Sequence, residues 1–175
     1  NKSLIIFCFI YISCSLNEKE ILVRNLSQFN QAVSNVIPGS IITMANGEWE
    51  NVELRLKGIG TKRNPILLRS ETPGKVVISG QSNLAFSGEH IIVSDLIFQN
   101  GYTPTNEVIS FKTSKTDLAN HSRVTNCVID NFTNPERFDG DTWVAIYGKN
   151  NRFDHNSIIG KGNRGVALAV KMKTE

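Results

Sequence analysis

The chain has 175 residues, 40% apolar and 20% charged, which suits one domain with a real core and excludes a disordered chain. Its formal net charge is only +3 and the basic residues are scattered, which argues against a nucleic-acid module with a basic stripe. Three cysteines make no disulfide framework, and no Cys/His spacing resembles a zinc site.

Residues 1–14 read as an export signal. Lys2 supplies a short positive region, and residues 4–13 form an apolar run too short to span a bilayer. Tyr11-Ile12-Ser13-Cys14 resembles a bacterial lipoprotein cleavage box, which makes Cys14 a candidate lipidation site. The expected destinations are the periplasm, the outer membrane as a lipoprotein, or the medium, and no transmembrane span is predicted. The folded domain is expected over residues 20–175.

Residues 20–24 predict a strand. Leu26, Phe29, Ala32, Val33 and Val36 then fall at helical spacing, with Ser27 as N-cap and Pro38-Gly39 as the stop. One short amphipathic helix ahead of a strand-rich array fits a cap over the first layer of a solenoid. From Ser40 on, strands and turns alternate. Ile41-Ile42-Thr43-Met44 precedes the turn signal Asn46-Gly47, and Trp49, Val52, Leu54 and Leu56 form the next apolar set. Gly58-Ile59-Gly60-Thr61 reads as a turn, Pro65 opens a strand, and Pro73-Gly74 leads into Val76-Val77-Ile78.

Within residues 88–165 one pattern is written three times, about 30 residues apart. The copies are Ile92-Val93-Ser94-Asp95-Leu96-Ile97-Phe98-Gln99-Asn100, Arg123-Val124-Thr125-Asn126-Cys127-Val128-Ile129-Asp130-Asn131 and Arg152-Phe153-Asp154-His155-Asn156-Ser157-Ile158-Ile159-Gly160. Further strands, 108–112, 143–147 and 166–170, lie between or after them. No helical pattern intervenes, which excludes a doubly wound α/β sheet and leaves a sandwich, a propeller or a parallel β-helix. Repetition of one polar–apolar signature favours the all-β parallel β-helix. Val93, Val124 and Phe153 are then expected to form one interior ladder, and Phe98, Ile129 and Ile158 another. Residues 101–106 and 134–142 are expected to loop out from one edge.

Other motifs receive plain readings. Gly160-Lys161-Gly162-Asn163-Arg164-Gly165 fits GxGxxG, but a strand follows it, so no helix N-terminus faces a phosphate. Asp139-Gly140-Asp141 lacks the further oxygens of a calcium loop and reads as a solvated insertion. His155 shares its repeat position with Asp95 and Asn126, and reads as a structural turn residue. Cys127, on an apolar repeat position, reads as core. Trp49 and Trp143 stand apart, so no sugar-stacking platform is expected.

Several segments resemble the N-terminal coils of polysaccharide lyase family 6, which contains alginate lyases and chondroitinase B. They are Gly47-Glu48-Trp49-Glu50-Asn51-Val52-Glu53-Leu54, Gly58-Ile59-Gly60-Thr61 with Pro65-Ile66, Pro73-Gly74-Lys75-Val76, Ser87-Gly88-Glu89-His90 with Leu96-Ile97-Phe98, Tyr147-Gly148-Lys149-Asn150-Asn151-Arg152 and Gly160-Lys161-Gly162-Asn163-Arg164-Gly165. The resemblance covers residues 21–170 in order. It implies a right-handed, single-stranded parallel β-helix that cleaves acidic polysaccharide by β-elimination, with alginate ahead of chondroitin or dermatan sulfate. In that chemistry a base takes the proton beside the uronate carboxylate, while a cation stabilises the developing enolate.

In the family the base is a lysine aided by an arginine, and an asparagine and two glutamates hold calcium. Those motifs fall after the Gly-Lys-x-Asn-x-Gly segment, so they are expected beyond Glu175 and none maps to a numbered position here. The expectation is a truncated N-terminal portion, inactive alone and without calcium of its own, although calcium is expected for the full-length family member. Lys161, Arg164, Tyr147 and Lys171 are the candidates for binding the anionic sugar. The alternatives are a non-catalytic β-helix that binds polysaccharide or serves as a surface scaffold, and a pectin-degrading lyase or hydrolase on the same fold.

Overall fold

A computed structural model describes residues 20–172. Cys14 and the predicted export signal lie outside the described residues, and so does Glu175, to which the folded domain was expected to run. The chain winds as a right-handed parallel β-helix whose strands stack into three parallel sheets. β1 (Glu20–Val23) opens the first sheet, and α1 (Leu26–Val33) packs against the start of the stack. The first coil is β2 (Ile41–Met44), β3 (Gly47–Glu50) and β4 (Glu53–Ile59), and the second is β5 (Ile66–Ser70), β6 (Val76–Gln81) and β7 (Asn83–Glu89). The third is β8 (Ile91–Ser94), β9 (Ile97–Tyr102) and the pair β10 (Glu107–Ser110) and β11 (Ala119–Asn120). The fourth is β12 (Arg123–Thr125), β13 (Val128–Asp130) and β14 (Asp141–Ile146), and the fifth is β15 (Arg152–Asp154), β16 (Ser157–Ile159) and β17 (Gly165–Val170).

The register stacks like on like. In the first sheet Ile21, Ile42, Leu68, Val93, Val124 and Phe153 lie one above another. In the second the column is Trp49, Ile78, Phe98, Ile129 and Ile158. The third runs Leu54, Leu84, Ile109, Val144 and Leu168. Both expected ladders are therefore present. Most of these side chains are fully buried, and each such Leu, Ile, Val or Phe contributes about 1.5–3 kcal/mol by leaving water.

Each repeat copy proves to be two strands, not one, folded at a corner. Asp95, Asn126 and His155 occupy that corner with φ of 65°, 55° and 58°. A left-handed residue turns the chain from the first sheet to the second, and short polar side chains tolerate that conformation best. His155 is thus the structural turn residue expected. Gly58 and Ile59, expected in a turn, belong to β4.

The helix starts from Asn25, not Ser27. Asn25 is extended at φ −160° and its side chain accepts from the Gln28 amide at 2.9 Å, while Gln28 Oε1 accepts from the Arg24 amide at 2.8 Å. This reciprocal pair satisfies two amides at once, which Ser27 cannot do from inside the first turn. Phe29 and Ala32 then bury against β1, β2 and β4.

The insertions differ in extent from those expected. Gly101 and Tyr102 extend β9, and Asp141 and Thr142 belong to β14. What loops out at the corner between the second and third sheets is residues 103–106 and 131–140. A further excursion, residues 111–118, splits β10 from β11 and closes through the antiparallel bridge of Lys112 with Leu118.

On the outer face of the first sheet, Arg123 grips Asp154 in a fork, Nε to Oδ1 at 2.7 Å and a terminal nitrogen to Oδ2 at 2.8 Å. Hydrogen bonding to Arg123, aided by the Arg152 charge, holds the Asp154 carboxyl down at about 2. A carboxylate depressed on folding stabilises the chain above its unfolded pKa, and that contribution fades as pH falls toward the folded value. Asp154→Asn is therefore expected to flatten the loss of stability between about pH 4 and 2, where the unfolded carboxyl titrates first. Thermal melts of both forms across that range check it; parallel profiles would refute it.

Candidate functional site

Two hollows lie on the third sheet, on either side of the excursion. The larger, about 800 Å3, has Gly58, Gly88 and Gly148 among its lining. Its two lysines, Lys57 and Lys149, face two carboxylates, Glu89 and Asp117, and Lys57 Nζ lies 2.9 Å from Asp117. The smaller, about 260 Å3, is lined by Arg55, Glu107, Ser110, Lys112 and Lys115 among others. It gathers more positive charge than it neutralises, and its carboxylate is the hub of a polar cluster drawn from three coils.

That hub is Glu107, at the start of β10. It accepts hydrogen bonds from Ser110 and from the Tyr147 hydroxyl, and from Lys171 Nζ at 3.2 Å, with Lys112 Nζ at 3.8 Å. Lys112 also stands 3.8 Å above the Tyr147 ring centroid, a cation–π contact. Tyr147 follows β14 and Lys171 follows β17, so successive coils bring them beside Glu107 although 40 and 64 residues separate them from it. Burial raises the Glu107 pKa, but the bonds from Ser110, Tyr147 and Lys171 and the Lys112 charge outweigh it, so the carboxyl is held below its ordinary value. Burial lowers the Lys171 pKa, but bonding to Tyr147 and Glu107 outweighs that and raises it overall. A lysine so held stays protonated at neutral pH. Its positive charge can attract an anion.

The sequence candidates therefore divide. Tyr147 and Lys171 belong to this cluster. Lys161 does not face solvent: its Nζ lies 2.6 Å from Asp141 Oδ1 and 2.8 Å from Asn163 Oδ1, and only 10% of its side chain is exposed. It is a structural cation under the insertion, committed to partners inside the protein. Asp141, read from the sequence as part of a solvated insertion, is buried, because Lys161 and Asn163 fold over it. Arg164, on the turn before β17, is exposed. Glu107, Ser110 and Lys112 escaped the sequence reading. Their one signal was a strand bearing polar residues near both ends, which the repeat did not mark. Among the described residues no three of His, Cys, Asp and Glu are grouped so that they could hold a metal ion. The catalytic groups expected beyond Glu175 likewise fall outside the described residues, which end at Met172.

The sequence pattern of the family described as Chondroitinase B matches residues 23–175. The chain belongs to the chondroitinase B family. This family member is also similar to solved structures of polysaccharide lyase family 6. With the alginate lyase AlyGC it shares 52% identity and a TM-score of 0.87, over 89% of this chain and 21% of that one. With a mannuronic acid specific family 6 lyase from human gut microbiota it shares 31% identity and a TM-score of 0.80, over 87% of this chain and 37% of that one. The alginate lyase AlyF-OU02, solved with G6, shares the fold at 16% identity and a TM-score of 0.70. The chain thus spans about a fifth of the length of AlyGC. Among curated proteins, none matches it.

Proposed function

We propose that the chain supplies the N-terminal coils of an exported polysaccharide lyase that cleaves alginate, ahead of chondroitin or dermatan sulfate, by β-elimination. The observation that carries this reading is the 52% identity with an alginate lyase over 89% of the chain. The excess of cations around Glu107 supports an acidic polymer as partner, since Arg55, Lys112, Lys115 and Lys171 attract carboxylates that a neutral glycan lacks. In this reading residues 20–172 bind and orient the polymer. The base and any calcium belong to other residues of the enzyme, beyond Glu175, so the chain alone is inactive.

A chimera tests this. Residues 20–172 replace the matching coils of AlyGC, and the product is incubated with alginate and with chondroitin sulfate. Ultraviolet absorbance of an unsaturated uronate is expected from the chimera on alginate and not from the chain alone. A chimera that melts cooperatively yet releases no unsaturated uronate from either polymer would overturn the reading. Absorbance from the chain alone would overturn its inactivity.

A further inference from the structure

Beyond the Glu107 cluster, one exposed feature has no structural duty. Phe138, in the insertion between β13 and β14, is 84% exposed. A benzyl group held in water costs free energy that burial elsewhere would recover. Beside it stand Arg137 and, across the gap, Arg164. The three residues, with Gly162 and Asn163, line an open hollow of about 410 Å3. Among the described residues no carboxylate lies within ion-pair distance of either guanidinium.

The hollow rests on a fixed frame. The Arg164 amide donates to the Arg137 carbonyl at 2.8 Å and ties the two loops together. Beneath them Asn163 Nδ2 donates to the Asp139 carbonyl at 2.8 Å and to Asp141 Oδ2 at 3.0 Å, and Thr133 Oγ1 donates to Asn163 Oδ1 at 2.9 Å. The buried Lys161–Asp141 pair completes this base. Ordering the loops in advance removes part of the entropy that a ligand would otherwise have to offset.

We infer that Arg137, Phe138 and Arg164 form a subsite for one uronate residue of an acidic polysaccharide. This rests on the lyase reading above for its substrate class and adds a place where the polymer is held. A pyranose ring presents a face of C–H groups that covers the exposed aromatic ring, and its carboxylate takes a fork of N–H donors from a guanidinium. The hollow and the Glu107 groove share one edge of the stack. The Thr142 amide, at the foot of this insertion, donates to the Asn106 carbonyl at 2.8 Å, and Asn106 lines the groove. Adjacent strands lie about 4.8 Å apart, so a polymer running along the stack axis passes from the Lys112 side of the groove to Arg164 within a few sugar lengths.

Calorimetric titration of the full chain with alginate oligosaccharides tests this. The variants are Phe138→Ala, the pair Arg137→Gln with Arg164→Gln, and all three together. Since charge-assisted hydrogen bonds contribute more than neutral ones, the triple variant is expected to bind about tenfold more weakly or worse, with an unchanged melting temperature. The Arg pair is expected to show a shallower salt dependence than the parent, with the remainder supplied by the cations around Glu107. Dextran is expected not to bind, and dextran sulfate to bind more weakly than alginate. An unaltered triple variant, no binding by the parent chain, or equal binding of dextran sulfate each overturns the subsite. Loss in Phe138→Ala with none in the Arg pair leaves only a neutral-sugar contact and overturns the uronate assignment. If the chimera cleaves alginate while the triple variant binds as the parent does, the subsite is wrong and the lyase reading stands. Specific binding through these residues, with no cleavage by the chimera, gives the reverse.

Discussion

Lys161→Met is expected to lower stability by about 3–5 kcal/mol, the usual cost of removing one partner from a buried ion pair. For a chain of this length that is a fall of about 10 °C in melting temperature. Asp141 is left with 3% of its side chain exposed and with Asn163 as its remaining side-chain partner. Its charge then has neither water nor a cation, and the insertion must open to hydrate it. Replacing both partners, Lys161→Met with Asp141→Leu, is expected to recover much of the loss, because it also removes the desolvated charge. Arg164→Ala, three residues on and exposed, is expected to stay within about 0.5 kcal/mol of the parent. Melts of the four proteins separate the two roles. A Lys161→Met chain as stable as the parent, but unable to hold alginate, would return Lys161 to the binding surface.

The contrast between Lys161 and Arg164 shows where the sequence was legible. The interior ladders could be read because a β-helix sets the same side of successive coils over one another, so Val93, Val124 and Phe153 carry the same apolar demand at a fixed interval. The corner residues Asp95, Asn126 and His155 repeat for the same reason, since each must turn the chain at positive φ. Lys161 stands outside that logic. Its partner Asp141 is 20 residues away and arrives over it through the insertion, whose length and path the repeat does not govern. The excursion over residues 111–118 was hidden likewise, because it interrupts a strand without the glycine or proline that would announce a break. Glu107 became visible as a hub only when Tyr147 and Lys171 were brought beside it by later coils. The repeated positions fix the scaffold, while the groups that could meet a polymer sit where the repeat is broken.

Gly88→Ala is expected to be the most damaging single methyl group in this scaffold. Gly88 has φ +114° and lies in register with Gly58 of β4 and Ala119 of β11. A Cβ there would sit 1.8 Å from the Gly58 carbonyl oxygen and 2.9 Å from its carbon. These are backbone atoms inside a parallel ladder, so no side chain can swing aside. Relief requires β4 and β7 to part, with loss of their shared hydrogen bonds and exposure of Leu54, Leu56 and Phe86 beneath. Gly74 separates the two penalties, for its φ is +77° but nothing lies within 4 Å of its Cβ position. Gly74→Ala should therefore cost only the dihedral strain, about 1–2 kcal/mol. Gly88→Ala adds the clash and is expected to exceed about 4 kcal/mol, a large share of the stability of an ordinary domain. Denaturant melts of the two variants, with amide exchange followed along β4, check this. Equal stability of the two would mean that the strands at Gly58 and Gly88 do not approach as closely as their register requires, and that the glycine-lined hollow above them is wider than described.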